Sequence, residues 1–112
     1  MNNFTTTIPR DDIAKFCRHW KIQELALFGS ALRDDFGPDS DVDILVTFAE
    51  DAEWGLFDHV QMQYELQASL RRNVDLISKR AVEGSQNWLR RQEILNTAQV
   101  LFSAQEAAHA TG

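Results

Sequence analysis

The apolar residues of this chain follow two spacings, one typical of helices and one typical of strands. Intervals of three and four residues predict helices at 9–21, 56–71 and 86–97, and a shorter helix is expected at 30–36. Short apolar runs between polar segments predict strands at 24–28, 42–48 and 73–78. The segment 99–102 fits either a helical tail or a short edge strand. This alternation predicts an α/β fold in which helices flank a small mixed sheet.

The predicted helix 56–71 carries apolar residues over a broad face. Phe57, Val60 and Tyr64 form one stripe, which is broadened by three further apolar positions, Met62, Leu66 and Leu70. We expect the stripe around Tyr64 to pack against the core or against a partner protein, and not to contact a cofactor.

The length and composition indicate one folded unit. A chain of 112 residues with 44% hydrophobic residues has room for one domain with a modest core. We expect this domain at 9–102, with flexible segments at 1–8 and 103–112.

Cysteine usage and hydropathy indicate a cytoplasmic protein. Cys17 is the single cysteine, so no intrachain disulfide can form, and this fits a reducing compartment. It shares a helical stripe with Ile13, Phe16 and Trp20, which predicts a role in core packing. No apolar run reaches membrane-spanning length, and 1–7 lacks the features of a signal peptide. We expect no membrane association.

The charge balance bears on the class of substrate. The formal net charge is −6 at pH 7 and the sequence pI is about 4.9. Proteins that grip polynucleotides usually present a basic face to the phosphates. An acidic chain therefore argues against stable nucleic-acid binding and favours a protein substrate or a basic partner.

The segment with the clearest chemistry joins the first two predicted strands. Gly29 and Ser30 close the first strand, and Asp41 and Asp43 open the second after ten intervening residues. Side chains two apart on a strand share a face, so both carboxylates point the same way. Their mutual repulsion calls for a cation, and Mg²⁺ prefers such oxygen ligands. The Gly-Ser turn offers N–H groups and a hydroxyl to phosphate. The alternative is that Gly29 and Ser30 only form a turn, and that Asp41 and Asp43 are solvated residues at the strand edge.

A third carboxylate lies on the next predicted strand. Asp75 is the polar residue among Val74, Leu76 and Ile77. A third carboxylate can hold the metal ion that lowers the pKa of an attacking hydroxyl. The alternative is that Asp75 faces water on an edge strand.

Arg33 has two interpretations of similar weight. It follows Ser30 by one helical turn and could contact a departing pyrophosphate. A surface ion pair with Asp34 or Asp35 fits its position equally well.

These residues resemble the DNA polymerase β-type nucleotidyltransferase superfamily, whose hallmark is Gly-Ser, a spacer and Asp-x-Asp. Within it, the chain is most similar to the minimal nucleotidyltransferases over roughly residues 10–102. The supporting stretches are Phe28-Gly29-Ser30 with Arg33, Asp39-Ser40-Asp41, Trp54 to Asp58, and Arg72 to Ile77. Many members have an arginine directly after the Gly-Ser pair, where this chain has Ala31.

The resemblance implies an activity and a partner. Members are commonly paired with HEPN-domain toxins, and they transfer AMP from ATP to a toxin tyrosine, as antitoxins of type VII-like pairs. By this resemblance Asp41, Asp43 and Asp75 would be catalytic and would hold two Mg²⁺ ions. Gly29, Ser30 and Arg33 would contact the phosphates of ATP.

Two other functions fit the sequence. The chain could be a non-catalytic antitoxin that occludes its toxin, although the three carboxylates argue against this. It could also be a small-molecule nucleotidyltransferase of the aminoglycoside-modifying type, since an acidic surface attracts cationic substrates. Those enzymes typically carry an additional domain.

Overall fold

The computed structural model describes residues 8–32, 37, 40–84 and 86–104. Within them the chain forms, in order, α1 (Arg10–His19), β1 (Ile22–Phe28), a 3-10 turn (Gly29–Leu32), β2 (Val42–Phe48), α2 (Leu56–Leu70), β3 (Val74–Ser78), α3 (Lys79–Glu83), α4 (Trp88–Thr97) and β4 (Gln99–Ser103). The predicted strands and long helices are confirmed, with bounds that differ by at most two residues. The segment 99–102 belongs to a strand.

The strands of the described chain form one mixed sheet, as predicted, in the order β3-β2-β1-β4. Strand β1 is antiparallel to both β2 and β4, whereas β2 and β3 are parallel. Parallel neighbours need a crossover connection, and α2 supplies it. Because β2 and β3 run in the same direction, the residues at their starts lie at the same end of the sheet.

Two elements differ from the sequence expectation. The 3-10 turn occupies the start of the predicted helix 30–36, and the remainder of that segment lies outside the described residues. The short helix α3 has no counterpart in the apolar pattern, because five residues are too few to show a helical period. Ser78 begins it, since its Oγ accepts a hydrogen bond from the Ala81 N–H at 3.2 Å.

The two faces of the sheet pack against different helices. On one face, alternate residues of the strands pack with α1 and α2 in the main core, which includes Leu25, Leu27, Val42, Ile44, Val46, Ile13, Cys17, Met62 and Leu66. On the other face, a smaller cluster joins the strands to α3 and α4 through Ala26, Phe28, Leu45, Val82 and Ile94. Asp43 alternates with Val42 and Ile44, so its side chain lies on the face of the smaller cluster.

Cys17 packs in the main core, as predicted. Its side chain is fully buried, and this burial raises the pKa of the thiol to about 12, against a smaller opposing effect of Arg18. The thiol therefore stays protonated at neutral pH and is unreactive.

Helix α2 is oriented differently from the sequence expectation. Met62 and Leu66 are buried, but Phe57 and Tyr64 are 89% and 64% exposed, and Val60 is exposed with them. The expectation that this stripe could pack in the core is therefore wrong. A partner interface remains the alternative prediction for it.

The orientation of α2 is explained by a row of polar side chains that faces the free edge of β3. His59 Nε2 lies 2.8 Å from the Leu76 carbonyl oxygen. Gln63 Oε1 accepts from the Leu76 N–H at 3.3 Å, and Gln67 Oε1 accepts from the Val74 N–H at 3.2 Å. These side chains, four residues apart on the helix, satisfy backbone groups that an edge strand would otherwise expose. This row fixes which side of α2 faces the sheet.

In the part of the chain that the structure describes, no helix is both long enough and apolar enough to cross a membrane.

Candidate active site

Gly29 and Asp43 lie directly against each other. Phe28 pairs with Asp43 across β1 and β2, and Gly29 follows with a positive φ of 62°. A Cβ placed on Gly29 would lie 2.6 Å from Asp43 Oδ2, closer than carbon and oxygen can approach. Glycine is therefore required here both for the backbone conformation and for the space that the carboxylate occupies.

Asp43 and Asp75 occupy neighbouring positions on adjacent strands. They are register partners in the parallel pair of β2 and β3, so their side chains lie on the same face of the sheet. Asp43 is half-buried and Asp75 is exposed. The structure thus brings together the two carboxylates that the sequence placed on separate strands.

Asp41 precedes β2 and is exposed. It is two residues before Asp43, at the same end of the sheet. The Val42 N–H donates to the Asn73 carbonyl at 2.8 Å, which ties the start of β2 to the start of β3. The three predicted acidic residues therefore lie on segments that are hydrogen-bonded to one another.

Two residues predicted to contact phosphate, Ser30 and Arg33, lie partly or wholly outside the described part of the chain. The backbone of Ser30 lies in the 3-10 turn that follows Gly29, but its side chain is outside the described atoms. Arg33 is outside the described residues. Their roles remain predictions.

The carboxylates fit Mg²⁺ by their chemistry and by strand register. Oxygen donors suit the ion, and the register places Asp43 beside Asp75. Among the described residues, however, no group of three or more His, Cys, Asp or Glu side chains is close enough to hold a metal. The structure thus gathers a pair of the predicted ligands at neighbouring positions and does not assemble the set of three around one point.

Sequence reasoning missed the residue that contacts the loop before Asp41. Arg72 follows α2, and its Nη2 donates to the carbonyl oxygens of Gly37 and Ser40, the latter at 2.9 Å. Ser40 Oγ accepts from the Gly37 N–H at 3.2 Å, so Ser40 also orders this loop. The available signal was the pair Arg71 and Arg72 between a predicted helix and the predicted strand of Asp75.

A groove of about 780 Å³ lies at the opposite end of the sheet. Its lining includes Phe48 and Ser78 at the ends of β2 and β3, with Trp54, Lys79 and Arg80 nearby. Because Asp43 and Asp75 are near the starts of the same strands, the groove and the carboxylates are separate features.

Comparison with known sequences identifies the kind of domain. A family model described as a nucleotidyltransferase domain matches residues 11–101. Two Methanocaldococcus jannaschii proteins named as candidate protein adenylyltransferases are similar to this chain. One is 34% identical over 77 residues, covering 69% of this chain and 76% of that protein. The other is 33% identical over 63 residues, covering 56% of this chain and 63% of that protein, slightly less than two thirds of its length.

Solved structures share the fold. A candidate minimal nucleotidyltransferase is 31% identical with a TM-score of 0.65, and the match covers 88% of this chain and 94% of that one. A chain of a toxin–antitoxin structure with AMP-PNP is 23% identical with a TM-score of 0.65, covering 91% and 79%. A chain of a Shewanella oneidensis complex of a tri-AMPylated HEPN toxin with its antitoxin is also 23% identical, with a TM-score of 0.58, covering 90% and 75%. The family match extends over most of the chain, so this protein belongs to the nucleotidyltransferase domain family.

Proposed function

We propose that this protein transfers AMP from ATP to a hydroxyl group of a partner HEPN toxin, with tyrosine as the acceptor, and thereby acts as its antitoxin. The observation that carries the proposal is the placement of Asp43, which lies against Gly29 and in register with Asp75. This placement occurs in a chain that belongs to the nucleotidyltransferase domain family.

The proposed roles follow from the chemistry of each group. Asp41, Asp43 and Asp75 would hold Mg²⁺, with two ions as the expected number. Bound there, the metal would neutralise charge on the triphosphate and lower the pKa of the attacking hydroxyl. The backbone at Gly29 can approach a phosphate closely, because no Cβ intervenes. Ser30 and Arg33 are the further proposed phosphate contacts.

The identity of the partner rests on similarity and on charge. A chain from a complex of a HEPN toxin with an antitoxin is among the chains that share this fold. The net charge of −6 favours a basic protein partner over an RNA or DNA acceptor. We therefore propose a protein hydroxyl as the acceptor and expect no stable nucleic-acid complex.

The alternative is a non-catalytic antitoxin that acts by covering its toxin. The described carboxylates, Asp43 and Asp75 included, are not gathered as a group of three around one point. An antitoxin that acted by covering its toxin would not need such a group. The two functions make opposite predictions for covalent modification of the toxin.

The test is incubation of the protein with ATP, Mg²⁺ and the product of the adjacent gene, followed by intact-mass measurement. We expect the neighbour to gain mass in steps of one AMP, and we expect no gain with Asp43→Asn. If wild type and Asp43→Asn both inhibit the product of the adjacent gene without changing its mass, the non-catalytic antitoxin is supported instead. Extension of added RNA with the neighbour unmodified would indicate an RNA-tailing enzyme.

A further inference from the structure

One side chain connects the segments that lead to two of the predicted metal ligands. Arg72 lies between α2 and β3, three residues before Asp75. Its guanidinium donates to the carbonyl oxygens of Gly37 and Ser40, and Ser40 is directly followed by Asp41. These contacts join residues 32 and 35 positions apart in the chain.

The contacts of Gly37, Ser40 and the start of β2 include bonds between Gly37 and Ser40 and bonds to the segment before β3. Gly37 and Ser40 bond to each other, through the Ser40 N–H to the Gly37 carbonyl at 3.1 Å and the Gly37 N–H to Ser40 Oγ at 3.2 Å. These bonds shape the loop but do not attach it to the sheet. Contacts that do attach it include those of Arg72 and, two residues after Ser40, the bond from the Val42 N–H to the Asn73 carbonyl.

We propose that Arg72 is a positioning residue that sets the place of Asp41 relative to Asp75. This inference rests on the proposed function, since it assumes that both carboxylates serve the reaction. Both bonds come from one nitrogen, Nη2, and the positive charge of the guanidinium strengthens them. A lysine ammonium could also donate to both carbonyls, but its flexible stem would hold them less rigidly than the planar guanidinium does.

The neighbouring arginine provides a matched control. Arg71 has a left-handed backbone conformation with φ of 55°, ends α2, and is exposed. Replacing either arginine with glutamine removes one positive charge at nearly the same place. Only Arg72→Gln removes the contacts with the loop.

The test combines kinetics with a measurement on the protein without substrate. We expect Arg72→Gln to lower kcat about 10- to 100-fold and to raise the Mg²⁺ concentration for half-maximal rate about tenfold, as when a residue that supports metal ligands is lost. Arg72→Lys should be intermediate, and Arg71→Gln should stay within about twofold of wild type. In the protein without substrate, the exchange rate of the Ser40 amide hydrogen should rise at least about tenfold in Arg72→Gln. The same rate should be unchanged in Arg71→Gln.

A second variant protects the test from a simple loss of folding. Ser40→Ala removes the bond from the Gly37 N–H without any change in charge, and it should shift the Mg²⁺ requirement in the same direction by a smaller factor. Thermal unfolding of each variant establishes that rates are compared between folded proteins. An unchanged Mg²⁺ requirement in folded Arg72→Gln would overturn the inference and leave the proposed function standing. If wild type modifies no partner while Ser40 exchange still depends on Arg72, the proposed function fails and only the anchoring of the loop remains.

Discussion

The two faces of the sheet differ in what they bury. The face toward α1 and α2 carries the main core, in which Val42 and Ile44 are fully buried. The opposite face carries a smaller cluster, and the starts of β2 and β3 there present Asp43 and Asp75. Because successive side chains of a strand alternate between faces, one strand contributes to stability on one side and to the candidate site on the other. Substitutions on the two faces should therefore have separable effects.

The largest expected effect is on transfer activity. Asp43→Asn removes one proposed metal ligand, and we expect AMP transfer to fall by at least about a thousandfold. The free energy of unfolding should change by about 1 kcal/mol or less, since asparagine keeps the size of the side chain and Asp43 is only half-buried. A radiolabelled-ATP transfer assay and urea unfolding measure the two quantities. Glu50→Gln, an exposed change of the same charge, is the control. Near-normal transfer by Asp43→Asn would contradict the proposed mechanism.

A substitution in the main core should lower stability and leave AMP transfer unchanged. Leu66 is fully buried on α2, so Leu66→Ala should lower the free energy of unfolding by about 2–5 kcal/mol. Transfer by the fraction that remains folded should be unchanged. Leu56→Ala makes the same substitution on the same helix at a position that is 77% exposed, and should cost less than about 0.5 kcal/mol. Equal losses of unfolding free energy in the two variants would contradict the burial of Leu66 and the exposure of Leu56.

A substitution of Gly29 should affect both stability and AMP transfer. Alanine at φ of 62° costs about 1–2 kcal/mol, and its Cβ would displace the Asp43 carboxylate. We expect Gly29→Ala to lower the unfolding free energy by that amount and transfer about 10- to 100-fold. Gly55→Ala is the control, because its φ is −93° and its added Cβ meets only ordinary contacts. Retention of full activity in Gly29→Ala would mean that the Asp43 carboxylate can move without consequence.

Local sequence was sufficient to predict β1, β2 and β3, whereas the roles of the aspartates at the candidate site stay predictions. An apolar run specifies a strand. The two-residue spacing of Asp41 and Asp43 predicts a shared face only if both lie on the strand, and Asp41 lies just before β2. From the sequence, Asp43 and Asp75 could be expected to lie near each other. That they are register partners could not be predicted, since this depends on how β3 pairs with β2. The strand at 99–102 was ambiguous for a similar reason, because its pairing with β1 joins distant parts of the chain.

The parts that could not be predicted depend on contacts between residues far apart in sequence. Helix α2 has apolar residues on both sides, and the pairing of Gln63 and Gln67 with β3 decides which side is buried. That pairing has no signature in the helix itself. The role of Arg72 likewise depends on Gly37 and Ser40, which precede it by 35 and 32 residues.

The smallest effect on the isolated protein is expected at Tyr64. Its side chain is on the exposed stripe of α2, so Tyr64→Ser should change the free energy of unfolding by less than about 0.5 kcal/mol. Leu66→Ala, two residues along the same helix, is the contrasting variant. If the stripe is the partner interface predicted from the sequence, Tyr64→Ser should also weaken binding of the proposed HEPN partner, because exposed aromatic residues are frequent anchors of interfaces. Titration calorimetry with that partner measures this effect apart from stability. Unchanged affinity would exclude Tyr64 from the interface, whereas a loss of more than about 1 kcal/mol of stability would mean that the stripe packs within the protein after all.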